Sequence, residues 1–516
     1  VISNKLQSKI DFSIKLINDI IENTRRFENS IHNTQFNEET QVTDENVYNN
    51  FKNISQSCDN LLSKDTNDNT NNTTNNNSAF GYKALFANTT GAFNVAFGYI
   101  SLQSNTRGSY NTAVGYNSLS ANTFGNYNSA FGYKALNSNT TGNRNSAFGY
   151  SSLRLNTIGI RNTAFGYASM LFNTTGSYNV AFGTMALYVN TIGTANTAVG
   201  FESLYNNTTG ANNTAVGHKS LQNNTIGYNN SAFGYDSLKS NTTGTYNTAI
   251  GYGTLVSNTT GSFNSAFGHG ALLYNATGVN NSAFGYFALF YNTANNNSAF
   301  GINSLRNNTT GTNNTAIGRD SLITNTIGID NTAIGLNSMY NNTTGSYNTA
   351  VGKNALQNNT TGANNVAVGT SALSANTIGV NNTAVGVNSL SNNTTGVSNT
   401  AVGLGSLQSN TTGVGNNAVG SAALNSNTFG KYNSAFGRSA MLSNKTGNKN
   451  SSFGYQSLYS NISGNTNCAF GYQSLSSNTT NNNSAFGYKA LSANTTGHRN
   501  AAFGNKALIN NTIGNY

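Results

Sequence analysis

A five-residue phrase, Asn-[Ser/Thr]-Ala-[Phe/Val/Ile]-Gly, returns every 17 residues through most of this chain. It starts at Asn77 and recurs at Asn94, Asn111, Asn128 and Asn145. The spacing holds to Asn281, shortens to 16 at Asn297, and shortens again between Asn467 and Asn483; the last start is Asn500, giving 26 units. A period of this length implies one supersecondary unit per repeat, which buries its apolar residues only by stacking on its neighbours. Both short steps omit the second Gly of the repeat, at Asn292-Thr293-Ala294-Asn295 and Asn478-Thr479-Thr480-Asn481. A residue lost from a turn leaves the strands in phase, whereas one lost from a strand would turn every later side chain to the other face.

The full unit runs Asn77, Ser78, Ala79, Phe80, Gly81, Tyr82, Lys83, Ala84, Leu85, Phe86, Ala87, Asn88, Thr89, Thr90, Gly91, Ala92, Phe93. Two Gly per unit among many Asn, Thr and Ser disfavour a helix. The alternation in Ser78 to Gly81 has the period of a strand. Asn-Thr-Thr-Gly is turn chemistry. The expected unit is therefore a coil of strand, turn, shorter strand and turn. The fold class is all-β, a parallel β-solenoid or β-roll of 26 coils spanning 77–516. At ~4.8 Å per coil it makes a rod of roughly 120–125 Å.

Placing the bulky side chains inside gives a structural core of Phe80, Leu85, Phe97, Leu102, Val114 and Leu119. The opposite strand face holds only Ala79, Gly81, Ala96, Gly98 and their equivalents, small enough for another backbone to approach closely. The cross-section is thin for one chain, so this face is expected to be the inter-chain seam of a homotrimer. Asn77, Asn88, Asn94 and Asn105 are expected to form Asn ladders, each amide bonding to the coils above and below. Tyr82, Tyr99, Tyr116, Tyr133, Tyr150 and Tyr167 recur one coil apart as an exposed stripe. Such a stripe suits contact with glycans. It equally suits a stiffening ladder or lateral packing.

Charged residues are only 8% of the chain, against about 25% in ordinary soluble domains. Polar low-complexity chains are often disordered, but disorder would not hold apolar residues at one phase. The net charge of +10 is uneven: residues 1–76 hold 7 basic and 11 acidic residues, the array 18 and 4. A dilute basic array serves solubility, or attracts an acidic polysaccharide or other polyanion. His32, His218, His269 and His498 are isolated from one another, and Glu202, Asp236, Asp320 and Asp330 are equally scattered. No metal site, carboxylate pair, phosphate loop or nucleophile triad is read from them, so neither enzyme activity nor a cofactor is expected. Cys58 and Cys468 make no disulfide framework, although Cys58 is placed to pair between chains. Asn-x-Ser/Thr triplets are dense, as at Asn88-Thr89-Thr90, and would accept glycans on a eukaryotic secretory route.

Residues 1–63 lack the phrase. Leu6, Ile10, Ile17, Ile20, Phe27 and Ile31 fit a heptad seam, and Phe51, Ile54, Cys58 and Leu61 a second helical stripe. Two readings stand: a coiled-coil stalk contacting an anchor partner, or a cap on the first coil. Residues 64–76 read as an Asn/Thr/Asp linker. The first apolar stretch is broken by Asp11, Lys15 and Asp19, so no secretion signal is read there, and no apolar run is long enough to span a membrane.

The phrases Asn-Ser-Ala-Phe-Gly (128–132) and Asn-Thr-Ala-Val-Gly (111–115) resemble the Hep/Hag-type head repeats of YadA-like trimeric autotransporter adhesins. They are also similar to repeat arrays in fibre proteins of phages and giant viruses. The resemblance covers nearly all of 77–516, although the adhesin repeat is shorter. It implies a trimeric left-handed β-roll and a role in attachment. The expected function is a non-enzymatic surface fibre or adhesin, extracellular or on a cell or virion surface. The alternatives are a structural protein polymerising into a filament or matrix, and a polyanion-binding or glycan-binding module.

Overall fold

The computed structural model describes residues 76–515. The chain divides at Asp68/Asn69; the helical reading of 1–63 and the linker up to residue 75 lie outside the described residues.

Each unit of the array contributes one three-residue strand, from β1 (Ser78–Phe80) to β26 (Ala501–Phe503), and no helix occurs among the described residues. Every strand pairs in parallel with the strand one coil on, residue for residue: Ser78 with Val95, Ala79 with Ala96, Phe80 with Phe97. The short coils keep this register. Ser282 pairs with Ser298 and Cys468 with Ser484, so the missing residue is absorbed in the turn, as expected. There Ala294 and Thr480 supply the carbonyl that Gly supplies elsewhere.

The strand faces are reversed from the expectation. The middle residue of the strand points inward: Ala96 and Ala113 are buried within the chain's own coil and belong to one continuous core with the Leu row. Ala79 packs against that core from the first coil. An inter-chain seam through Ala79 and Ala96 is therefore excluded by their position. Phe80, Phe97 and Val114 lie on the outer side, half-buried, where Phe80 stacks on Phe97 at 5.0 Å. Leu85, Leu102 and Leu119 are fully buried, as expected. The physical reason is volume. The narrow coil already encloses one Leu and two Asn side chains, which leaves room on the strand side for a methyl group and no more.

A second strand does not form. From Gly81 to Leu85 the backbone passes repeatedly through left-handed conformations, with φ of 126° at Gly81, 52° at Lys83 and 54° at Leu85. This tight winding carries the chain round a corner in a few residues. Leucine rarely adopts such a φ. Here its side chain fills the core, and its N–H donates to Ser101 O of the next coil at 3.0 Å.

Two Asn ladders complete the interior, and both pass through one carbonyl per coil. Asn94 Nδ2 and Asn105 Nδ2 donate to Gly108 O at 2.8 and 2.9 Å, closing the coil on itself. Asn105 Nδ2 also donates to Asn88 Oδ1 at 2.8 Å, and Asn94 N to Asn77 Oδ1 at 2.8 Å, tying each coil to its predecessor. Asn105 Oδ1 accepts in turn from Asn122. The amide thus satisfies itself completely in a dry interior, where a missing partner would cost about 1–3 kcal/mol. Outside this pair, Thr106 Oγ1 donates to Thr123 O at 3.1 Å, and the same bond recurs along the turns. The Asn88-type ladder is interrupted inside the array at the second short coil. In the second short coil, Asn478 gives its oxygen to Asn494 and its amide to Thr480 O, leaving Asn461 Oδ1 without a partner among the described residues.

Candidate functional site

With the interior filled by Ala, Leu and Asn, chemistry can reside only in the rows of outward side chains. Parallel stacking puts the same repeat position of every coil in one row, about 4.8 Å apart.

The row that follows the first Gly carries the expected Tyr stripe. Tyr82, Tyr99, Tyr116, Tyr133, Tyr150 and Tyr167 stack face to face, with ring centroids 4.9–5.3 Å apart. Tyr82 is 58% exposed while Tyr99 and Tyr116 are near 38%, because stacking covers one face with the next ring. A ring covered on both sides offers a ligand its edge and hydroxyl only. The geometry therefore supports the stiffening role at the interior of the stripe. His218 and His269 fall in this row, stacked between aromatic neighbours: His218 lies 5.3 Å from Phe201 and 4.8 Å from Tyr235.

The acids are less scattered than their sequence positions suggest. Glu202 and Asp236 share the next row, two coils apart, with Lys219 between them. Lys219 approaches Glu202 at 4.0 Å, and Lys239 pairs with Asp236 at 3.0 Å. His218 Nδ1 stands 3.9 Å from Asp236 Oδ1. A cation beside each carboxylate makes this a small ion network and leaves neither acid as a free base. Tyr205 is pushed up from the ordinary phenol value by burial first, then by Tyr188 and Glu202. Burial also raises the thiol of Cys468, which occupies the outward Ser/Thr position of β24 (Cys468–Phe470). Among the described residues, no three His, Cys, Asp or Glu side chains converge as a metal would require. No described helix is long and apolar enough to cross a membrane.

The Asn assigned to the ladders occupy them, which bears on the Asn-x-Ser/Thr triplets. Asn88 of Asn88-Thr89-Thr90 is buried and donates to Gly91 O at 3.0 Å. A glycan on that nitrogen would have to displace the ladder.

A second aromatic ladder, unread in the sequence, runs along the last residue of the repeat. Phe93, Tyr110 and Tyr127 stack at 4.9 Å. The sign was present in the sequence, since Phe or Tyr ends each of the first three units. Two arginines, Arg144 and Arg161, then interrupt it before Tyr178. Beside it, the sixteenth position forms an outer polar ladder: Ser109 N donates to Asn126 Oδ1 and Asn126 N to Asn143 Oδ1, both at 2.7 Å.

Comparison with models of known protein families finds no match, and comparison with curated proteins finds none either.

Proposed function

We propose that this chain is a non-enzymatic fibre whose array is a rigid shaft, displayed on a cell or virion surface and mediating attachment. The observation that carries the reading is the unbroken residue-for-residue pairing from β1 to β26, with the Asn77-type ladder running through both short coils. Such an array resists bending because each coil is bonded to both neighbours along its whole circumference. Residues 1–63 would provide the base and its contact with an anchor partner. Chemistry is no part of the proposal, as the array's carboxylates at Glu202, Asp236 and Asp320 are each paired with a cation.

The homotrimer implied by the resemblance is retained with a different seam. The outward strand face carries rows of Ser/Thr and of Phe, Val or Ile along the whole array. Phe165, Phe182 and Phe233 on it are 37–40% exposed. A continuous half-exposed apolar row is a surface that a second copy would cover.

Sedimentation and electron microscopy of the full chain test this together. Rods of one length, roughly 120–125 Å for the array, with the mass of three chains, are expected. Phe165→Glu/Phe182→Glu should lower that mass while the far-UV CD spectrum stays β-rich. Indefinite filaments would favour the alternative of a matrix-forming protein, and a monomeric parent would remove the trimer.

A further inference from the structure

The interrupted aromatic ladder makes a charged notch. Arg144 and Arg161 occupy the same position on adjacent coils, both exposed, so two guanidinium groups share one short stretch of edge. They lean apart: Arg144 lies back over the Tyr127 ring at 5.9 Å, and Arg161 forward over Tyr178 at 5.3 Å, its Nη1 donating to Tyr178 Oη at 3.1 Å. Between them opens a notch of about 320 Å³ walled by the Asn126 and Asn143 amides. Neither arginine takes part in an ion pair among the described residues. Stacking fixes the side chains and leaves their positive charge uncompensated.

A related arrangement recurs, with one cation in each of the two outer rows. Further along the same two rows, Lys431, Tyr432 and Lys449 surround an open notch of about 620 Å³ with Asn448 and Asn465 in its wall. Lys431 N donates to Asn448 Oδ1 at 2.8 Å, and Asn448 Nδ2 to Thr446 O at 3.0 Å. The amide is thereby held as rigidly as Asn143 in the first notch, where Nδ2 donates to Thr141 O at 2.9 Å. Arg144 closely precedes β5 (Ser146–Phe148), and Lys449 stands in the same place before β23 (Ser451–Phe453). At ~4.8 Å per coil the two stations stand roughly 85 Å apart along one edge.

We infer that this edge binds an acidic polysaccharide, a chain of sugar rings bearing sulfate or carboxylate groups, at these two stations. Paired cations give charge-assisted hydrogen bonds to an anionic substituent. Tyr178 and Tyr432 are half-exposed and offer apolar surface to the sugar ring, while Tyr127, between Tyr110 and Arg144, offers its edge and hydroxyl. The fixed Asn amides suit hydroxyl groups. Nucleic acid fits less well, because its affinity comes from many phosphate contacts along a continuous charge. Here the stations, with two cations each, are separated by some 15 coils with no cation in either row, and Arg499 stands alone three coils beyond Lys449. The one acid on this edge, Asp330, lies between the stations and accepts from Asn313 Nδ2 at 3.1 Å. Two weak stations on one stiff array gain by avidity only when the ligand is long enough to reach both. Binding of this kind does not depend on display of the array at a surface.

The test measures binding of the full chain to long heparin, a heparin hexasaccharide, polygalacturonate, neutral dextran and single-stranded DNA by surface plasmon resonance. Long heparin should bind at least about tenfold more tightly than the hexasaccharide, and dextran not at all. Arg144→Asn/Arg161→Asn should cost long heparin about tenfold or more. Asn already stands at that position in Asn212 and Asn229, so the coil tolerates it. Lys353→Asn/Lys506→Asn removes the same charge from other rows and should leave binding nearly unchanged. Equal losses from the two pairs, single-stranded DNA bound as tightly as heparin, or no binding of any acidic polysaccharide would overturn the inference.

Discussion

Gly335→Ala is expected to divide the array into two separately unfolding pieces. A Cβ at this position would lie 2.6 Å from the Gly352 carbonyl oxygen and 2.7 Å from its carbon, on a backbone at φ 129°. No flexible side chain stands in the way to yield; the obstruction is the next coil's main chain. Conformational strain alone costs about 1–3 kcal/mol, and relieving the overlap means parting two coils. In a solenoid each coil touches only its neighbours, so damage at one interface uncouples what lies on either side. Two thermal transitions, with limited proteolysis cutting near the substituted coil, are the expected readout. Gly405→Asn is the matched control. It too is left-handed, at φ 62°, but its Cβ would meet only the ends of Asn425 and Gln408 at 3.3 Å. Asn303 and Asn337 already occupy that row at φ near 55°. This variant should melt with the parent.

Asn342→Asp is expected to be nearly as damaging, and to be so in a pH-dependent way. Asn342 is fully buried; its Nδ2 donates to Asn325 Oδ1 and Gly345 O, both at 2.9 Å, and its oxygen accepts from Asn359 at 2.7 Å. A carboxylate there would face two acceptors with no proton to give. Its charge would sit in the dry interior, so its folded pKa should rise above the ordinary aspartate value. For an acid shifted upward, the protonated form is the one the fold accepts. The deficit is therefore smallest below the unfolded pKa and grows as pH rises through and above it, reaching at least ~3 kcal/mol near neutrality. Thermal unfolding at pH 4 and pH 7 checks this. Asn342→Ala should lose stability by the same amount at both pH values.

These expectations rest on features of unequal visibility in the sequence. Period, strand position, Asn ladders and the turn that absorbs a deletion all follow from spacing and residue type. The direction of the strand faces does not, because bulk is a poor mark of the interior in so narrow a coil. Variation among the units carries the better signal. The middle strand residue is Ala in every coil except for Ser452, which is itself buried and donates to Ser457 O at 2.9 Å. The third residue changes freely among Phe, Val and Ile. A close-packed interior tolerates no such change of volume, so the uniform position is inside and the variable one outside. The left-handed Leu has no comparable signal. Nothing in residue preference predicts a leucine at positive φ, and only the stacked structure explains it, through a buried side chain and a paired N–H. The two charged notches are hidden for another reason. Arg144 and Arg161, or Lys431 and Lys449, are separated by a full coil of sequence and become neighbours only when the repeat is stacked in register.

The central claim is that one chain winds as a parallel solenoid with a single strand and a single coil per layer. Electron cryomicroscopy of the full chain tests it most directly. The expected image is a rod whose density repeats every ~4.8 Å along the axis, with one repeat unit of each chain in each layer and all strands running the same way. Layers built from two units of one chain, antiparallel neighbouring strands, or a particle without that repeat would contradict it.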